Sequence, residues 1–145
     1  MSIEIGKKAP GLDKLGRTAG EKLVVYFYPK DMTSGCTLES QNFRDLNAAF
    51  RKAKTRIVGV SRDSDASHEK FKAKEKLPFD LYSDADEALC KAYDVIHEKS
   101  LYGRKYMGIV RSTFLIDEKG VLRQEWRNVK VPGHAEEVLE AARAL

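Results

Sequence analysis

The run LVVYFY, residues 23 to 28, constrains the fold more than any other stretch of this chain. A strand with one wet face alternates apolar and polar residues, whereas six apolar or aromatic residues in succession predict a strand covered on both faces. RIVGVS, Arg56 to Ser61, predicts a second such strand. Between them Phe43, Leu46, Phe50 and Ala53 recur at spacings of three and four, the stripe of a helix that begins around Cys36 and is capped by Thr33 or Ser34. A further helix is expected from about Ala66 to Lys76, stopping before Pro78, with a short strand in PFDLYSD and another helix from Asp86 to about Tyr93. STFLID and VLRQEW, joined by Glu118, Lys119 and Gly120, read as a β-hairpin. From His134 to Leu145 a last helix turns Val138, Leu139 and Ala142 to one face. Parallel strands with helical crossovers, then an antiparallel hairpin and a closing helix, give a mixed-sheet α/β layer fold.

Composition narrows the function. The chain has 145 residues, 42% hydrophobic and 33% charged, which suits one compact domain over residues 1–145. Its apolar runs fall far short of the roughly 20 residues of a membrane span, and MSIEIGKKAP holds no signal-peptide core, so a cytoplasmic protein is expected. The net charge of +4 does not point to nucleic acid. In HEKFKAKEKL the lysines alternate with Glu69 and Glu75, as on a solvated helix face. His68, His97 and His134 are dispersed, and the two cysteines lie too far apart for a recognisable zinc spacing, so no metal is expected.

Chemistry concentrates in YPKDMTSGCTLESQNF, Tyr28 to Phe43. A cysteine in the first turn of a helix faces the positive end of the helix dipole and free backbone N–H groups, both of which favour thiolate over thiol. Thr33 can bring a hydroxyl beside the sulfur of Cys36, Pro29 supplies a rigid wall without a backbone donor, and Gly35 frees the turn. Read singly, each residue has a plainer use. Cys36 fits a small core residue, Thr33 a cap, and Pro29 the end of a strand. Glu39, one turn past Cys36, is within reach of a hydrogen bond near the site but reads first as a surface glutamate, His134 reads as the start of the last helix, and Trp126 as core or hairpin packing.

Pro29, Thr33 and Cys36 reproduce the P-x-x-x-T-x-x-C motif of the peroxiredoxins, and FYPKDMTSGCTLE resembles the bacterioferritin comigratory protein, or peroxiredoxin Q, branch. YGRKYMGIVRSTFLID and KVPGHAEEVLEA resemble the same branch, so the likeness runs from about Leu23 to the end. It implies a thioredoxin-like fold, a central mixed β-sheet flanked by helices. It also implies a thiol peroxidase, commonly monomeric, that reduces hydrogen peroxide and organic hydroperoxides without a cofactor. Cys36 would be the peroxidatic nucleophile that becomes a sulfenic acid. Arg111, which otherwise suits a surface ion pair, would stabilise the thiolate and the charge on the breaking O–O bond, Thr33 would hold a peroxide oxygen, and Pro29 would shield the sulfur.

Two departures from the family pattern stand out. Only GLDKLGRTAGEK separates Pro10 from the first buried strand, so the N-terminal hairpin is truncated and a sheet edge is expected to be exposed. Gln41 and Lys72 stand where members carry a resolving cysteine. That leaves Cys90, in DEALCKAYDV, or an external thiol such as thioredoxin, glutaredoxin or glutathione to regenerate Cys36. Cys90 itself reads as a buried small hydrophobe. A thiol-disulfide oxidoreductase is disfavoured, because there is no C-x-x-C and Val110 precedes Arg111 where a thioredoxin has its cis-proline pair. A redox-sensing or interaction protein that uses oxidised Cys36 is the other class the sequence allows.

Overall fold

The computed structural model describes residues 3–145. Its elements are β1 (Lys22–Phe27), α1 (Ser34–Lys52), β2 (Thr55–Ser61), α2 (Asp65–Glu75), β3 (Asp80–Ser83), α3 (Ala88–Ala92), β4 (Ile96–Leu101), β5 (Arg104–Ile109), β6 (Ser112–Ile116), β7 (Leu122–Arg127) and α4 (His134–Arg143). Five strands form one sheet in the order β3-β2-β1-β6-β7. The pairs β1·β2 and β2·β3 are parallel; β1·β6 and β6·β7 are antiparallel. This is the mixed sheet expected, with β1 at its centre.

The central strand is buried along its whole length, and its alternate residues enter different cores. Val24, Tyr26 and Tyr28 pack with Phe43 and Phe50 of α1, Phe71 of α2, and Val138, Leu139 and Ala142 of α4. Tyr26 stacks on Phe43 with ring centroids 4.8 Å apart, fastening the middle of α1 to the sheet. Leu23, Val25 and Phe27 point the other way, to Leu89 and Cys90 of α3, Tyr93, and Ala9 and Leu15 of the N-terminal segment. The continuous apolar run is thus the signature of a strand with a core on each side.

Three expectations are refined. Residues 6–9 pair with the beginning of β7, Gly6 N–H donating to Leu122 C=O at 2.8 Å and Ala9 N–H to Gly120 C=O at 2.9 Å, so the shortened N-terminus still covers part of that edge. Lys76 does not extend α2; it adopts a left-handed conformation that ends the helix, while Ser64 caps its start. Finally, β4 and β5 form a separate two-stranded hairpin that the sequence reading missed.

Candidate active site

Thr33 is the N-cap of α1, which makes Cys36 its third helical residue. The cap works through the backbone, Thr37 N–H donating to Thr33 C=O at 2.8 Å. The Thr33 hydroxyl does not cap; it donates to the Lys30 carbonyl at 2.8 Å. First-turn N–H groups are therefore not consumed by a side chain, and the positive end of the helix stays directed at its surroundings. Cys36 is fully buried and has a free thiol. Pro29 is half-buried between β1 and this turn.

Arg111 reaches the same place from the connection between β5 and β6. Its Nη2 donates to Cys36 Sγ at 3.3 Å and its Nη1 to Glu39 Oε1 at 2.6 Å. The backbone explains the reach: Val129 N–H bonds the Arg111 carbonyl at 3.0 Å, and Val110 N–H bonds Val95 C=O at 2.8 Å, anchoring the segment on both flanks. Gly35 lies close under this guanidinium. A Cβ there would lie 3.2 Å from Arg111 Nη2, so the residue serves close approach, where the sequence reading assigned it turn freedom.

Glu39 is not on the surface. It is 1% exposed, and burial pushes its carboxyl up to about 7 against the opposing pull of Arg111. Lys99 on β4 is held below the usual ammonium range by burial and by repulsion from Arg111. His134 does begin α4, but its buried ring also bonds the Thr113 hydroxyl at 2.8 Å. Burial lowers it to about 4, so it is neutral at physiological pH. Trp126 is half-buried, donates to Glu137 and meets the His134 ring edge-on.

The loop before α1 is tied down by a network that sequence reasoning also missed. Asp31 is buried; it accepts from the Tyr28 hydroxyl at 2.6 Å and from the Ser67 hydroxyl at 2.8 Å, and pairs with His68 Nδ1 at 2.7 Å. Its own N–H donates to Asp63 at 2.8 Å. The ligand atoms of Asp31, Asp63 and His68 lie within 4.8 Å of one another, but each is already engaged by protein groups, so the cluster is a tether between the loop and α2.

Cys90 lies in the opposite core. Cys36 packs on the Tyr26 face of the sheet and Cys90 on the Phe27 face. Burial, reinforced by Asp84, pushes the Cys90 thiol up and keeps it protonated.

Comparison with known proteins shows the family. The model of the AhpC/TSA family matches residues 8–125. Peroxiredoxin Bcp of Bacillus subtilis is 48% identical over 154 residues, covering 100% of this chain and 98% of that protein. The chain belongs to the AhpC/TSA family, in its peroxiredoxin Bcp branch. Peroxiredoxin Bcp of Xanthomonas campestris is 56% identical over 126 residues, 87% of this chain and 79% of that one. Among solved structures, PrxQ of Xylella fastidiosa superposes with a TM-score of 0.90 at 42% identity, covering 99% of this chain and 98% of its own. The Xanthomonas campestris bacterioferritin comigratory protein, whose alkyl peroxide reduction was followed in trapped complexes, gives 0.86 at 47%, covering 97% and 98%. As a peroxiredoxin the protein is a thiol-dependent peroxidase with a thioredoxin fold.

Proposed function

We propose that Cys36 is the peroxidatic nucleophile of this peroxidase and that an external thiol regenerates it. The observation that carries the assignment is the 3.3 Å contact between Cys36 Sγ and Arg111 Nη2 at the start of α1. The thiolate attacks the terminal peroxide oxygen, an S–O bond forms as the O–O bond breaks, and the departing alkoxide or hydroxide takes up a proton. Arg111 bears the charge as it passes from sulfur to the leaving oxygen, Thr33 holds the peroxide, and Pro29 walls the sulfur. A reductant thiol then attacks the sulfenic sulfur, releasing water and leaving a mixed disulfide, and a second thiol frees Cys36.

The placement of the cysteines supports recycling by an external thiol such as thioredoxin, glutaredoxin or glutathione. Cys90 sits across the sheet, and Gln41 and Lys72 supply no thiol. A reducing, cytoplasmic setting fits these free thiols. Every group named belongs to one chain, so a monomer suffices. Among the described residues no helix is long and apolar enough to cross a membrane. Peroxide consumption with each reductant tests the assignment: Cys36→Ser abolishes turnover and Cys90→Ser retains most of it. Turnover by Cys36→Ser close to wild type would refute it.

A further inference from the structure

Arg111 stands between two acids. One terminal nitrogen meets Cys36 Sγ at 3.3 Å and the other Glu39 Oε1 at 2.6 Å. The second oxygen of Glu39, Oε2, is buried without a hydrogen-bond partner among the described residues. A carboxylate in that position has a single cation for support and one bare oxygen, so its charged form is poorly stabilised. A thiolate on Cys36 adds a like charge facing the same guanidinium, which favours a proton on the carboxyl further.

We infer that Glu39 is a protonatable positioning residue of the peroxidase site: Cys36 and Glu39 share one negative charge against Arg111, and Glu39 holds a proton while Cys36 is a thiolate. This rests on Cys36 being the nucleophile. In the reactive form the whole guanidinium charge serves the sulfur. When the S–O bond forms and the O–O bond breaks, the negative charge departs on the leaving oxygen. Glu39 then releases its proton to solvent, the leaving oxygen takes one up, and the new carboxylate keeps Arg111 in place. Reduction of the sulfenic acid by external thiols restores the Cys36 thiol, whose proton returns to Glu39 as the thiolate forms again.

The other groups around the pair do not reproduce this behaviour. Tyr26 on β1, bonded to Ser40 at 2.8 Å, is pushed far up by burial and stays neutral. His134 on α4 is neutral above about 4. Asp31, in the loop before α1, is engaged with His68 of α2. Lys99 on β4 is a cation that adds to Arg111 and competes for no proton in the acid range.

The test is the pH dependence of the single-turnover rate with hydrogen peroxide. Two coupled acids give two macroscopic ionisations, so the wild-type profile is expected to need both. Glu39→Gln keeps an oxygen for Arg111 but cannot ionise; its profile should collapse to one step displaced to lower pH, with up to about tenfold faster reaction on the acid limb for each pH unit of displacement. Glu39→Asp should restore the second step. Profiles of wild type and Glu39→Gln that superimpose would overturn the inference, and an inactive Cys36→Ser beside them would leave the nucleophile assignment standing. If Glu39→Gln does not fold, infrared difference spectra of the wild-type protein decide: oxidation of Cys36 at neutral pH must remove a protonated-carboxyl band, and an unchanged carboxyl region overturns the inference.

Discussion

At Gly35 a single hydrogen atom keeps the site open. The 3.2 Å between a hypothetical Cβ and Arg111 Nη2 is tighter than ordinary contact, so Gly35→Ala should push the guanidinium away from Cys36 while suiting the helix. The expected outcome is a protein at least as stable thermally, but slower in stopped-flow reaction with peroxide. Arg111→Met goes further and removes the charge. Its rate should fall about 10²-fold or more, the scale of losing one preorganised donor, and saturating reductant should not restore it. Thr33→Val is a milder change, because the hydroxyl bonds the Lys30 carbonyl and no helix N–H. Its rate should still fall, with melting unchanged, because the hydroxyl holds the peroxide; an unchanged rate would leave it a turn residue. At this scale a motif singles out Cys36, Thr33 and Pro29 and the stretch RSTFLID singles out Arg111, while Glu39 offers only its place one turn past Cys36. Its ionisable type suggested surface, yet it lies four residues before Phe43 and three after Cys36, on the stripe that packs against β1.

Elements differ in how openly they were written. The stripe Phe43, Leu46, Phe50 announced α1, and its extension toward the N-terminus reaches Glu39 and Cys36. The β4–β5 hairpin was hidden, because both strands are largely exposed and polar and lack an alternating apolar face. Its turn has Tyr102 and Gly103 both at positive φ; glycine accepts this readily, but tyrosine is not the residue that signals such a turn. The tether between the active-site loop and α2 was invisible for another reason: Asp31 and His68 meet only through the fold. Asp31 is held below, and His68 above, its ordinary range; burial opposes both shifts, and their mutual ion pair together with the bonds from Tyr28 and Ser67 to Asp31 and between His68 and the Tyr82 carbonyl outweighs it. A lowered acid contributes stability that is lost as pH falls through its folded value, and a raised histidine contributes stability that is lost as pH rises through its own. The tether is therefore strongest between those limits. His68→Phe leaves the buried Asp31 carboxylate with the Tyr28 and Ser67 hydroxyls but without its cation and should cost about 3 kcal/mol, a fall in melting temperature on the order of 10 °C.

Across the whole molecule the sheet divides the chemistry. The cysteines occupy separate cores, Cys36 on α1 against one face of the sheet and Cys90 on α3 against the other. The same burial that prepares Glu39 weakens the fold at alkaline pH. Its folded value is raised from 4.5 to about 7, so its contribution is fully present below 4.5 and is lost as pH rises through about 7. At about 1.36 kcal/mol for each pH unit, Glu39→Gln should be more stable than wild type near pH 8 by on the order of 3 kcal/mol, a gain that vanishes near pH 4 in urea denaturation. The order of layers was readable in the sequence because apolar runs and stripes declare burial. Which core each cysteine enters depends on register and on the folding of α3, which local patterns do not carry. The most direct measurement of the mechanism is mass spectrometry of the reduced protein after one equivalent of hydrogen peroxide in the presence of dimedone. One adduct, on the peptide containing Cys36, with Cys90 still a free thiol, is the predicted result; a loss of two hydrogens with Cys36 and Cys90 joined in one peptide pair would contradict it.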